Sequence, residues 1–163
     1  MNIKIEIANM EKVIEAFRRA PAVVKENMRI AMKVVLRNIQ ERARREHKFR
    51  TRSGAAEKSI STGIVGADPI VGRVFLDPTI TRTAKGVSYG VFLHEGTADH
   101  FVSARNKKCL RWATGSGFAY SKGHEVKGIT ADPFVYRAGA AERANANIVF
   151  NRYAEKAIRG AGL

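Results

Sequence analysis

The chain is 163 residues long and 45% apolar, which suits one domain with a core of its own and requires no metal or disulfide to hold it. Its charge is unusual: 29 Lys and Arg stand against 15 Asp and Glu, a formal +14, implying a polyanionic neighbour such as nucleic acid, an acidic protein ring or a membrane face. A single cysteine, Cys109, excludes an intrachain disulfide, and the lack of a signal-like segment or a ~20-residue apolar run predicts a soluble cytoplasmic product without a membrane span.

Residues 2–7 alternate, with Ile3, Ile5 and Ile7 on one face, and predict a short half-buried strand. Asn9 can cap a helix over MEKVIEAFRRA that Pro21 punctuates. From Pro21 a longer helix is expected to about His47. Val24, Met28, Ala31, Val35 and Ile39 follow three- and four-residue spacing, and Met32, Leu36 and Ala43 widen the stripe. Arg29, Lys33, Arg37 and Arg44 lie off it, as a solvated back would.

That helix runs into RARREHKFRTRSG, the densest basic stretch of the chain, with Arg42, Arg44, Arg45, Lys48, Arg50 and Arg52 within eleven residues. Cations at a helix C-terminus are favoured by the macrodipole. The same residues would also serve as a contact for phosphates or carboxylates, and the pattern leaves both uses open. Phe49 is the one aromatic among them, too few for base stacking.

Residues 59–65 and 70–77 read as two strands of a hairpin, with Gly66, Ala67, Asp68 and Pro69 as turn chemistry. Residues 78–88 are loop-like, and YGVFLHE then packs Tyr89, Phe92 and Leu93 into about two helical turns. Residues 97–131 change texture: short β-type pieces broken by Gly and Ser, rich in Lys and Arg, read as an extended hairpin arm. The last element, PFVYRAGAAERANANIVFNRYAEKAIRG, is helical. Asp132 is its expected N-cap and Pro133 its first residue. Ala138, Gly139, Ala140, Ala141 and Ala144 would allow close approach, and Arg159 and Gly160 mark its end. Together these elements predict an α+β fold. A small antiparallel sheet packs against a long N-terminal helix and a C-terminal helix, and residues 97–131 form an arm inserted into one domain.

YGVFLHEGTADH gathers titratable residues and invites a metal or catalytic reading. The zinc-protease pattern needs two histidines four apart on one helix; here His100 follows His94 by six, with Gly96 between. His124 is the nearest candidate for a third imidazole, and Cys109 the sole thiolate. Lys107, Lys108 and Arg111 could lower the Cys109 pKa, but no oriented base accompanies it, and a buried strand position is the expectation. No Walker-type loop is present. These patterns predict no catalytic residue, no metal and no cofactor. Glu95, Gly96 and Thr97 read instead as a structural corner: Gly96 stops the helix with a positive φ, Glu95 pairs with an Arg or accepts main-chain N–H bonds, and Thr97 bonds locally.

Three stretches in this order resemble one family. TRSGAAEKSI (51–60), YGVFLHEGT (89–97) and ADPFVYRA (131–138) are similar to motifs of the tail-completion proteins of long-tailed phages, the gene-product-ten-like family. KCLRWATGSGFAYSKGHEVKGI (108–129) resembles the insertion of its longer members. His94 stands where an aromatic or apolar residue is common in that family, and Ala56 where Leu is expected. The resemblance implies a non-enzymatic structural virion protein at the head–tail junction. It would form a ring homo-oligomer such as a hexamer, meet other neck or tail-tube proteins, and be found in the virion and, during assembly, in the bacterial host cytoplasm. On that implication Lys108, Arg111, Trp112, Phe118 and Tyr120 are expected to reach a neighbouring subunit. The basic residues at 42–52 would face packaged DNA non-specifically, without membrane contact. The competing reading is a basic nucleic-acid-binding accessory protein without enzymatic activity.

Overall fold

The computed structural model describes residues 21–66, 69–83 and 86–160. The expected strand at residues 2–7 and the first short helix lie outside them, as do Ala67 and Asp68 of the hairpin turn. The fold is α+β. In chain order, α1 (Pro21–Arg45) and α2 (Ala55–Ser59) precede β1 (Ile60–Val65) and β2 (Val71–Leu76); α3 (Tyr89–Glu95) follows. Then come β3 (His100–Ser103), β4 (Leu110–Thr114), β5 (Gly117–Ser121), β6 (Gly123–Val126) and α4 (Phe134–Gly160). The strands form three two-stranded sheets, β1–β2, β3–β6 and β4–β5.

The chain divides into two compact units. Among the described residues, one holds 21–46, Ile60–Phe75 and 135–160; the other holds His47–Ser59 and Leu76–Phe134.

In the first unit, α1 lays its apolar stripe against β1. Ala31, Val35, Leu36, Ala43 and Ile60 are buried, at the spacing the sequence pattern requires, while Arg29, Lys33 and Arg37 are exposed. Gly72 of β2 lies against α1: a Cβ there would overlap Met32 Sδ and stand 3.0 Å from Leu36 Cδ2. Thr62 of β1 is exposed. One main-chain acceptor at the start of β1 is bonded from the helix twice, since Gln40 Nε2 and Arg44 Nη2 both donate to Ile60 O, at 2.6 and 2.9 Å.

Helix α4 returns along α1 in the opposite sense. Arg42 near the end of α1 meets Glu142 at 2.8 Å, and a Cβ on Gly160 would lie 3.7 Å from Val23 near the start of α1. Ala138 and Ala157 are the buried small residues of α4. Ala140, Ala141 and Ala144, expected to allow close approach, are exposed; only one small residue per few turns falls on the packed side of so long a helix. The helix starts at Phe134, one residue later than the Asp-Pro pair suggests.

In the second unit, α2 packs on α3. The buried face of α3 is formed by Gly90 and His94. Phe92, expected to pack, is 40% exposed. The reason is helical phase: positions 90 and 94 share one face, and Gly90 fits there because Thr81 Oγ1 would stand 3.1 Å from any Cβ.

Residues 100–126 form one long hairpin in two registers. His100 to Ser103 pair with Val126 to Gly123, and Leu110 to Thr114 pair with Ser121 to Gly117. Between these blocks, residues 104–109 of the outgoing leg face the single Lys122 of the return. Cys109 lies at the end of this excursion and is half-exposed, not buried in a strand as expected. A five-residue surplus on one leg cannot stay in the ladder.

Candidate functional site

The segments around YGVFLHEGT converge in the second unit through main-chain bonds. Gly96, at φ 79°, donates its N–H to Phe92 O at 2.9 Å and ends α3, so the expected glycine stop is present. Thr97 then joins the two legs of the arm: its N–H donates to Ile129 O at 2.9 Å, and its hydroxyl accepts from Ile129 N–H at 2.9 Å. Asp99 Oδ1 accepts from Gly128 N–H at 2.6 Å. Gly128 has no room for a side chain, since a Cβ would overlap Thr97 O.

Asp132 connects three segments. Its N–H donates to Leu93 O at 3.2 Å, and its carboxylate accepts from Lys48 N–H at 2.5 Å while only 5% exposed. Phe134, 1% exposed, lies edge-on to both Phe49 and His94, with centroids 5.3 and 5.1 Å away. His94, 6% exposed, is thus packed against the Phe134 ring. Ala56 is also buried.

Among the described residues no arginine forms an ion pair with Glu95. Its Oε1 lies 2.7 Å from His94 Nδ1. His100 is exposed, with Nδ1 3.2 Å from Ala98 O. Among the described residues no group of three or more His, Cys, Asp or Glu is placed to hold a metal ion.

The pattern gave no warning of a brace formed by His47, Thr51 and Glu57. Glu57 Oε1 accepts from the Thr51 hydroxyl and lies 3.2 Å from His47 Nε2; the His47 ring stacks on Phe49 at 3.9 Å. Burial raises the Glu57 pKa, but the Thr51 hydroxyl, its own backbone N–H and the nearby His47 outweigh that, so its carboxyl sits below the usual value. The brace lies beside a cleft of about 280 Å³ lined by Phe49, Arg50, Arg52, Glu57, Tyr89 and Leu93 among others.

The six basic residues at 42–52 do not behave as one set. Arg42 is held by Glu46 at 3.0 Å and Glu142 at 2.8 Å, and Arg44 donates to Ile60 O. Arg45, Lys48, Arg50 and Arg52 are exposed. Moreover, Arg42, Arg44 and Arg45 belong to the first unit, and Lys48, Arg50 and Arg52 to the second. Of the arm residues expected to meet a neighbour, Lys108 is exposed in the excursion, and Arg111, Trp112, Phe118 and Tyr120 are exposed on β4–β5.

No protein-family model, curated protein or solved structure matches the chain. Among the described residues no helix is long and apolar enough to cross a membrane.

Proposed function

We propose that the chain is a structural virion protein that completes the tail or joins head and tail at the neck, assembling as a ring around the DNA conduit. One observation carries the reading. Residues 51–59, 89–97 and 131–134 of the three stretches that resemble tail-completion motifs, far apart in sequence, fall in one unit. Ser59 and Gly90 lie side by side, Asp132 N–H reaches Leu93 O, and Phe134 packs on His94. Their polar groups are spent on shaping backbone: the glycine stops a helix, the threonine closes the arm, and the aspartate anchors residue 48. Residues used this way suit a structural role.

A ring repeats one heterologous contact until it closes. The outer face of β1–β2 offers a surface for it: Val65, Val71 and Phe75 are each 40–44% exposed, and Phe75 covers Gly63. The ring's other contacts would be neck or tail-tube proteins, in the virion and, during assembly, in the host cytoplasm. The test is genetic and visual. Tails made without this protein form normal tubes that fail to join heads in negative-stain images. Fully infectious particles lacking it overturn the proposal.

A further inference from the structure

The arm carries chemistry that neither a corner motif nor a ring contact needs. From Arg111 through Phe118 every residue is exposed, and a side chain at Gly115 or Gly117 would meet nothing within 4 Å. β4–β5 is therefore a bare two-stranded ribbon. Register places Arg111 opposite Tyr120 and Ala113 opposite Phe118, so Arg111, Tyr120 and Phe118 share one face. Arg111 lies over the Phe118 ring at 4.5 Å, which pre-positions the guanidinium.

Charge along the arm is one-sided. Residues 100–127 hold six cations, Arg105, Lys107, Lys108, Arg111, Lys122 and Lys127, against one carboxylate, Glu125. All six are exposed, and no carboxylate among the described residues forms an ion pair with any of them. The excursion puts Arg105, Lys107 and Lys108 on the outgoing leg at the base of the ribbon, and Lys122 faces it on the return. Cations thus flank the ribbon on both strands.

We infer that the β4–β5 ribbon is a duplex-DNA contact. The major groove of B-form DNA admits a two-stranded ribbon, and the phosphate strands that border it match cations on both legs. A second copy of this chain is the less suitable occupant, since it brings another +14 to a basic arm. The inference stands on the arm alone and holds whether or not the neck assignment does. It moves the DNA-facing role from residues 42–52, which are divided between two units, to the arm.

The full-length chain is titrated into a labelled 20-base-pair duplex at several salt concentrations, with anisotropy as the readout. Lys107→Gln, Lys108→Gln and Arg111→Gln together are expected to weaken binding roughly tenfold or more, and to make the log–log salt slope shallower by roughly 2 to 3. Arg45→Gln, Arg50→Gln and Arg52→Gln remove the same charge elsewhere and are expected to change affinity less than about threefold. Trp112, the sole tryptophan, lies on the ribbon, and its emission is expected to shift at saturating duplex in the unmodified protein. Equal losses from the two triple variants overturn the inference, because net charge alone would then explain binding. Unchanged Trp112 emission also overturns it, as does an arm triple that abolishes self-association while leaving DNA affinity intact.

Discussion

Thr97 and Ile129 exchange two hydrogen bonds, each 2.9 Å long, and so fasten the two legs of the arm 32 residues apart in sequence. One bond uses the Thr97 main chain and the other its hydroxyl, which explains why a hydroxyl residue follows the helix-stopping glycine. Thr97→Val keeps the shape and removes the acceptor for Ile129 N–H. It is expected to cost about 1 kcal/mol in urea unfolding and to speed tryptic cleavage at Lys122 and Lys127. Thr97→Ser is expected to behave like the parent. Equal protease sensitivity in all three would show that the arm base is held by something else.

Gly72 of β2 lies against α1, with Met32 Sδ in the space a Cβ would occupy. Gly72→Ala is expected to destabilise the protein by about 1–3 kcal/mol through overpacking. Met32→Ala opens that space at its own cost, and in the double variant the two effects are expected to be markedly less than additive. Chemical denaturation of the four proteins in the cycle measures this directly. Additive losses would place Met32 away from Gly72.

Much of the first unit could be read from pattern because its elements are long. The stripe from Ala31 to Ala43 spans enough turns for a period to show, and it buries as its spacing demands. Gly96 was legible for a local reason: a glycine after an amphipathic run has few uses other than stopping it. The second unit was harder because its helices are short. Seven residues of α3 carry too little periodicity to say whether Phe92 or His94 faces inward, and hydropathy favours the wrong one. Asp132 accepting from Lys48 and Glu57 reaching His47 depend on where loops cross, which no local spacing records. The basic run at 42–52 looks continuous in sequence, yet Glu142, 100 residues away from Arg42, takes up one of its members.

His94 separates a packing role from a chemical one. It is 6% exposed, edge-on to Phe134, and hydrogen-bonded to Glu95. A residue held for volume is replaced best by one of similar size, so His94→Leu is expected to stay folded and within about 1.5 kcal/mol of the parent. His94→Ala leaves a cavity and is expected to lose about 2 kcal/mol or more. Elemental analysis of the unmodified protein is expected to find no stoichiometric zinc, manganese or iron. A co-purifying metal lost in a still-folded His94→Leu variant would restore the metal reading of the corner.

Glu57 gives the fold a dependence on pH with a defined sign. Its carboxyl, held below the unfolded reference of 4.5 by the Thr51 hydroxyl, its own backbone N–H and His47 despite the opposing effect of burial, binds its proton more weakly in the folded chain. Its contribution to stability is therefore complete above about pH 4.5 and is lost as pH falls through the lower folded value. Glu57→Gln keeps an acceptor near Thr51 but has no proton to gain. Between about pH 5 and pH 3 the parent is expected to lose more stability than this variant, the difference isolating Glu57 from the other carboxylates. Parallel stability curves for the two proteins across that range would mean that the brace at residues 47, 51 and 57 contributes nothing to acid sensitivity.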